Sequence, residues 1–447
     1  MGTFGSLSTG LSALYAQRRA VEVAGQNIAN VNTEGYSRQR VGMVADSGPV
    51  TPGLFSRYEG PGMGVRSVDV VRVRDQFLEA RAHREQATGS YLSTMQTALG
   101  RVEQAVGEPS DTGIGSQLSD FWAGWDDVGL SPADPAARAQ LIERASTLAA
   151  SVRRLDSSLV ALSEASVSQL DALVADVNTV AGRVAELNGS IRSATAAGMS
   201  ANELADQRDL LVLQLARQVG ATTRVNDDGG VDVYLGAMAL VRGTTTDPLT
   251  LDLGTGPGTV RVAWADDGLS TTVGGESAAL LETVNVLVPG QRSDLAGVAQ
   301  ALHDDVNGIH ATGFDQDGNP GGPFFSMGPN GIEVAAGVAG NTRAVAASAA
   351  AGAVDGSVAQ QLAAQSGPDA AYRELVVRLG VATQAVNRRV DVQDSIVRQV
   401  DAARESQAGV NIDEEMTNLV AFQHAYNAAA RFVTVVDELV DTIIRMV

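Results

Sequence analysis

Residues 412–447 read IDEEMTNLVAFQHAYNAAARFVTVVDELVDTIIRMV. Ile412, Met416, Leu419, Tyr426, Ala430, Val433, Val440, Ile444 and Val447 recur at alternating steps of four and three, and Gln423 and Asp437 hold the two remaining places of the row. A period near 3.5 residues is that of a helix whose apolar seam faces another helix. The opposite end of the chain matches it. Phe4, Leu7, Leu11, Leu14, Val21, Gly25 and Ile28 are spaced in the same way, with Arg18 interrupting. Residues 1–40 hold four arginines against two glutamates, while residues 410–447 hold two arginines against six carboxylates. Like periodicity and opposite charge predict that the two ends pair with each other or with copies of themselves. A helix that exposes such a stripe to water is marginal alone, so an unpartnered terminal stripe is an assembly element. Core helices of an ordinary domain would carry the same pattern; placement at both extremes of the chain favours assembly.

Between the ends the chain is mostly helical. The pattern predicts helices over 74–107, 115–129, 134–194, 201–219, 291–311 and 369–407. Asp134-Pro135 opens the longest, with an N-cap residue followed by proline at the first helical position. A helix of that length, about 90 Å at ~1.5 Å per residue, implies a rod-like bundle. Residues 41–73 read as an extended segment with a strand or two. Residues 222–288 change character: VDVYLG, MALVRG, LTLDLG and TVRVAW alternate with Asp-Gly turns, the signature of short strands. The expected fold is therefore mainly α with an inserted small β domain: a long coiled-coil-like helical bundle whose N- and C-terminal helices pair. The expected domains are 1–42 plus 406–447, a terminal assembly domain; 43–221 plus 289–405, a long-helix middle domain; and 222–288, an outer β domain.

Composition narrows the function classes. The formal net charge is −20, and every basic residue is arginine. An acidic surface argues against nucleic acid, which demands clustered positive charge, and against anionic membrane surfaces. With no cysteine, disulfides, thiolate nucleophiles and cysteine metal sites are excluded. The N-terminus has no basic leader followed by a continuous apolar run, so no secretory signal is read there, and no stretch approaches the ~20 apolar residues of a membrane helix.

One stretch is recognisable. Residues 25–40, GQNIANVNTEGYSRQR, resemble the N-terminal signature of flagellar axial proteins, with its Asn-Ile-Ala-Asn core and Thr-x-Gly-Tyr turn. The ending Ser37-Arg38-Gln39-Arg40 is similar to the hook-associated junction family rather than to rod or hook proteins. Residues 409–431, Gly274-Gly275, Leu280 to Glu282, Leu302 to His310 and the run from Gly313 follow the same family in its order. The resemblance implies paired terminal helices in an inner layer, long helices in a middle layer and an outward β domain. It implies a structural subunit between hook and filament, self-associated in a ring or helical layer. Its partners would be the hook protein, a second junction protein and an export chaperone on the C-terminal helix. It also implies passage through the flagellar type III channel to the cell exterior. The candidate assembly residues are Leu7, Leu11, Leu14, Val21, Ile28, Asn30, Tyr36 and Arg38 at one end. At the other they are Ile412, Met416, Leu419, Phe422, Tyr426, Val433, Val440 and Ile444. Leu419, Phe422, Tyr426 and Val433 are the expected chaperone surface. Arg38 and Arg40 are expected to pair with Asp413, Glu414 and Glu415. Another axial subunit, or a surface adhesin using the β insertion, are the alternative readings.

Catalytic and ligand readings are weak. Asp315 to Asn319 look like part of a calcium loop, but the glycine falls one place early and Ser326 stands where a bidentate glutamate is needed. His303 and His310 share a helix face about 10 Å apart, far for one ion. Trp122 and Trp125, beside Phe121, read as core. No cofactor, metal or catalytic residue is expected.

Overall fold

A computed structural model describes residues 3–46, 64–256, 258–329 and 331–446, the side chains of Thr3 and Phe4 apart. Val447, the last position of the C-terminal row, and residues 47–63 of the expected extended segment lie outside the described residues. The chain divides into two compact units. The first comprises Met1–Ala87, Val177–Pro248 and Asp394–Val447, and the second Thr88–Asp176 and Leu249–Gln393.

In the first unit, helix α1 (Thr3–Ala29) leads into an antiparallel hairpin, β1 (Gln39–Asp46) on β2 (Gly64–Arg72). It also holds the start of α2 (Gln76–Val106) and the end of α4 (Pro135–Ala196). Helix α5 (Asn202–Val219) stops at Gly220, whose φ of 70° places it in the left-handed region that closes a helix. A four-stranded antiparallel sheet follows, in the order β3 (Thr222–Val225), β4 (Val231–Leu235), β5 (Met238–Arg242), β6 (Thr245–Thr246). Asn188 of α4 holds it. Its Nδ2 donates to the carbonyls of Val231 and Gly243, each at 2.8 Å, and its Oδ1 accepts from the Val231 N–H at 3.0 Å. The end of α9 (Gly367–Ala408) and α10 (Ile412–Met446) complete the unit.

The second unit contains the rest of α2, helix α3 (Ile114–Leu130), the first part of α4 and the hairpin β7 (Leu249–Asp252)–β8 (Arg261–Trp264). Next come α6 (Gly275–Glu282), a π turn (Thr283–Leu287), α7 (Val288–His310), the hairpin β9 (Phe325–Gly328)–β10 (Gly331–Val334), helix α8 (Ser357–Ala363) and the start of α9. Asp134 caps α4 as its sequence predicts, accepting from the Ala136 N–H at 2.8 Å. The core is aromatic at its centre: Trp125 and Phe324 lie 5.1 Å apart, Phe324 and Phe325 5.0 Å, Phe121 and Phe325 5.6 Å. Trp122 packs beside them and donates its Nε1–H to Asp369 at 2.6 Å.

Two sequence expectations change. The strands expected as one β domain over 222–288 fall into separate sheets, β3–β6 in the first unit and β7–β8 in the second. Helix also begins at Gly275, well before 291. Pro289 sits in the first turn after the π segment, where the widened ring removes the need for its missing N–H.

The aromatic centre generates two predictions. Phe324→Ala deletes a fully buried ring and should cost about 3–5 kcal/mol of stability, measured by urea unfolding. His310 is buried beside it; its Nδ1–H donates to the Gly322 carbonyl at 2.6 Å and its Nε2 accepts from the Ala346 N–H at 2.8 Å. Burial lowers its proton affinity, against the smaller opposing effect of the Gly322 carbonyl. Protonation therefore favours the unfolded chain. The unit keeps its full stability above the ordinary histidine pKa of about 6.5. Below that it loses up to about 1.4 kcal/mol per pH unit until the folded ring also protonates. Trp122, Trp125 and Trp264 all lie in this unit. Urea titrations followed by their fluorescence should show the loss setting in as the pH falls through about 6.5, and His310→Gln should flatten it.

Candidate assembly interface

Helix α1 packs along α10, and the buried row of α1 is made of small residues. Ala16, Ala20, Val23, Ala24 and Asn27 are buried, as is Gly10. A Cβ added at Gly10 would lie 2.7 Å from Val433 Cγ2, so the helices touch there backbone to side chain. With no side chain at Gly10 the two helices approach closely there; α1 also lies on the β1–β2 hairpin, where the Val65 N–H donates to the Ser12 hydroxyl at 3.3 Å, so its buried residues are shared between two neighbours.

Leu7, Leu14, Val21 and Ile28 are half-buried and Leu11 is exposed. On α10, Leu419, Phe422, Val433 and Val440 are half-buried on the face of the buried Glu415 and Val436, whereas Ile412, Met416, Tyr426 and Ile444 are exposed. A second apolar stripe, Phe432, Val435, Leu439, Ile443 and Met446, stands exposed along the C-terminal half. The 4-3 count weighs side chains by hydropathy. It cannot tell a large residue in a seam from a large residue beside one.

The signature turn is the meeting point of the first unit. Glu415 is 3% exposed. Its Oε1 accepts from Nε and Nη2 of Arg38 at 2.7 Å, and its Oε2 from Nδ2 of Asn27 at 3.1 Å. Arg38 Nη1 reaches Glu414 at 3.1 Å. Asn27 Oδ1 accepts from the Gln39 N–H at 2.9 Å and from the Tyr36 hydroxyl at 3.0 Å, and its Nδ2 also donates to the Gln39 carbonyl at 2.9 Å. Asn27 thus lies inside α1 and binds the turn that follows it. Asn30, just past the helix, donates to the Gln26 carbonyl and accepts from the Thr33 hydroxyl. Gly35, at φ 77°, lets the turn close over Leu210, whose side chain would clash with any Cβ there. Arg40 is exposed, and Asp413 donates its N–H to the Asn411 cap.

Helix α5 anchors the turn from the other side. Ser37 donates both its N–H and its hydroxyl to Asp206. Arg72 pairs with Asp206 at 2.9 Å and with Asp209 at 2.7 Å, and Arg74 also binds Asp209. Burial alone would raise the Asp209 carboxyl, but Arg208, Arg72 and Arg74 outweigh it and hold the group below the usual carboxylate range. Burial and the carboxylates of Asp206, Glu203 and Glu415 push the Tyr36 hydroxyl up to about 12, keeping it a proton donor. No local pattern marks Asp206 or Asp209: apart from neighbouring Arg208, which binds Asp209 at 3.0 Å, their partners Ser37, Arg72 and Arg74 lie more than a hundred residues away.

The weak ligand candidates are structural. Asp315 accepts from the N–H groups of Asp317 and Asn319 within its own turn, and Asp317 pairs with Arg343. His303 binds neighbouring Asp304 at the surface. Among the described residues no group of three or more His, Asp or Glu could hold a metal ion, and no helix is long and apolar enough to cross a membrane.

Comparison with known proteins locates these features. The helical-domain model of the flagellar hook-associated protein FlgK matches residues 99–325, half of the chain. The flagella basal body rod protein model matches residues 7–36, and the C-terminal model of the rod proteins FlgEFG matches residues 391–446. The terminal pair and its turn are thus the part shared with other axial proteins. Flagellar hook-associated protein 1 of Bacillus subtilis (strain 168) is 29% identical over 99% of this chain and 98% of that protein. The protein of the same name in Salmonella typhimurium is 29% identical over 71% of this chain and 58% of its own length. The solved structure of the flagellar hook junction protein FlgK from Burkholderia pseudomallei aligns with a TM-score of 0.51 and 28% identity, covering 56% of this chain and 47% of that one. The chain therefore belongs to the flagellar hook-associated protein FlgK family, structural subunits of the bacterial flagellum.

Proposed function

We propose that the chain forms the adaptor layer that joins hook to filament, and that residues 1–42 with 406–447 are its assembly domain. The observation that carries the mechanism is the α1–α10 pair, locked at one end by Arg38, Asn27 and Glu415, with an apolar stripe left in water on its outer side. Each large side chain of that stripe contributes about 1.5–3 kcal/mol when fully buried. Association costs roughly 4–15 kcal/mol in lost freedom. One stripe is therefore close to break-even: the free subunit stays dispersed, and neighbours on several sides hold it in a wall. Self-association in a ring or helical layer, the hook protein below and a second junction protein above are the partners this reading requires. An export chaperone on α10 would compete with α1 for Leu419, Phe422 and Val433, keeping the terminal pair apart until the subunit leaves the flagellar type III channel.

A strain lacking the gene, complemented with the full-length chain or with residues 1–405, tests the role. Bare hooks and flagellin lost to the medium, corrected only by the full-length chain, are expected. Normal filaments in the uncomplemented strain would overturn it. The lock is tested separately. Arg38→Ala leaves Glu415 buried without its counter-charge and should cost about 3 kcal/mol, seen as faster amide exchange in α10. Glu415→Gln, which keeps a partner for Asn27 and removes the charge, should recover most of that loss in the Arg38→Ala background.

A further inference from the structure

A cavity of about 930 Å³ opens in the second unit between α4, the β7–β8 hairpin and the π turn. Its walls are aliphatic: Val160 and Val167 from α4, Leu251 and Leu253 from the hairpin strand and its loop, Val284 and Val288 from the π turn and α7. Asn285, on the π turn, clamps the hairpin: its Oδ1 accepts from the Val260 N–H at 3.1 Å and its Nδ2 donates to the Val260 carbonyl at 2.7 Å. The mouth is thus held open by hydrogen bonds, and π turns recur at functional positions. Glu164 and Asp171 stand exposed on the rim, while Arg292 is committed to Asp156 at 2.7 and 3.1 Å. The opening is apolar and edged with uncompensated negative charge.

The same unit carries a matching ridge. Val377, Val381, Arg388 and Val392 share one face of α9, and the three valines are 57%, 61% and 61% exposed. Arg378 beside them is taken by Asp294 and Glu374, whereas Arg388 has no carboxylate partner among the described residues. Valines are stiff and lose little side-chain freedom on docking. Cavity and ridge share no residue.

We propose that the α9 ridge of one copy seats in the α4–π-turn cavity of the next, with Arg388 against Glu164 and Asp171. The inference rests on the multi-copy layer proposed above. A groove on one copy that receives a different surface of its neighbour is a heterologous contact, the kind that repeats around a ring or along a helix. With a net charge of −20 per copy, most appositions repel; this one brings an unpaired arginine to an acidic rim. It also supplies the second contact that the terminal stripe alone lacks.

Because the chain has no cysteine, Val167→Cys with Val381→Cys introduces the only thiols. Flagella would be isolated from the complemented null strain, oxidised, and the chain blotted after denaturing electrophoresis. The expected result is a ladder running past the dimer with both cysteines and no multimer with either alone. Glu164→Arg or Arg388→Glu in the double-cysteine chain should lower the ladder about tenfold, and both together should restore it. A chain present in the flagella without a ladder overturns this contact and leaves the junction role standing. A dimer from one cysteine alone, or a cross-link from position 167 to a protein of another size, gives the cavity a different occupant and also overturns it. A chain absent from the flagella sinks both readings.

Discussion

A carboxylate withdrawn from water must find its charge and its hydrogen bonds inside the protein. Glu415 finds them in two residues of the other end of the chain, Arg38 and Asn27. This single requirement ties the start of α10 to the end of α1 and to the first residue of β1. Asn27 also binds the backbone of Gln39 and the Tyr36 hydroxyl, so the turn, the hairpin and both terminal helices are set by one hydrogen-bonded group. Arg38 adds its own N–H to the Ala408 carbonyl, fixing the break between α9 and α10.

In the terminal pair, Gly10 lets the two helices touch, and many of the larger leucines, valines and isoleucines of both are left partly exposed. A soluble protein with no further use for that surface would be expected to cover it. Family models built on rod proteins match the same two segments and not the middle of the chain. The partly exposed apolar residues of the terminal pair thus lie in the portion matched by the rod-protein models, while residues 99–325 are matched by the FlgK helical-domain model.

The second unit is built on different terms. Its centre is a packed set of rings, Phe121, Trp125, Phe324 and Phe325, closed by a neutral buried histidine that satisfies two backbone groups at once. Close-packed rings have low compressibility, so this centre behaves as one stiff body. The π turn interrupts this order in one place, and there the surface opens into an aliphatic cavity.

Local patterns in the chain were enough for the long helices, the start of α4 and the pairing of the ends. These follow from periodicity, Asp134-Pro135 and opposite net charge at the termini. The sequence also determined that Arg38 meets the acidic start of the last helix, because the signature turn and that cluster are each contiguous. Only the three-dimensional arrangement half-buried Leu7, Leu14, Leu419 and Val433 while leaving Leu11, Ile412, Met416 and Tyr426 exposed, since exposure depends on what packs alongside each residue. It alone decided that Asp206 and Asp209 gather Ser37, Arg72 and Arg74, for these groups are remote in sequence and carry no periodic mark. And it alone split the strands of 222–264 between two units and carried a helix through Pro289, because the bonds that settle those points, from Asn188 and across the π turn, join segments that no local pattern relates.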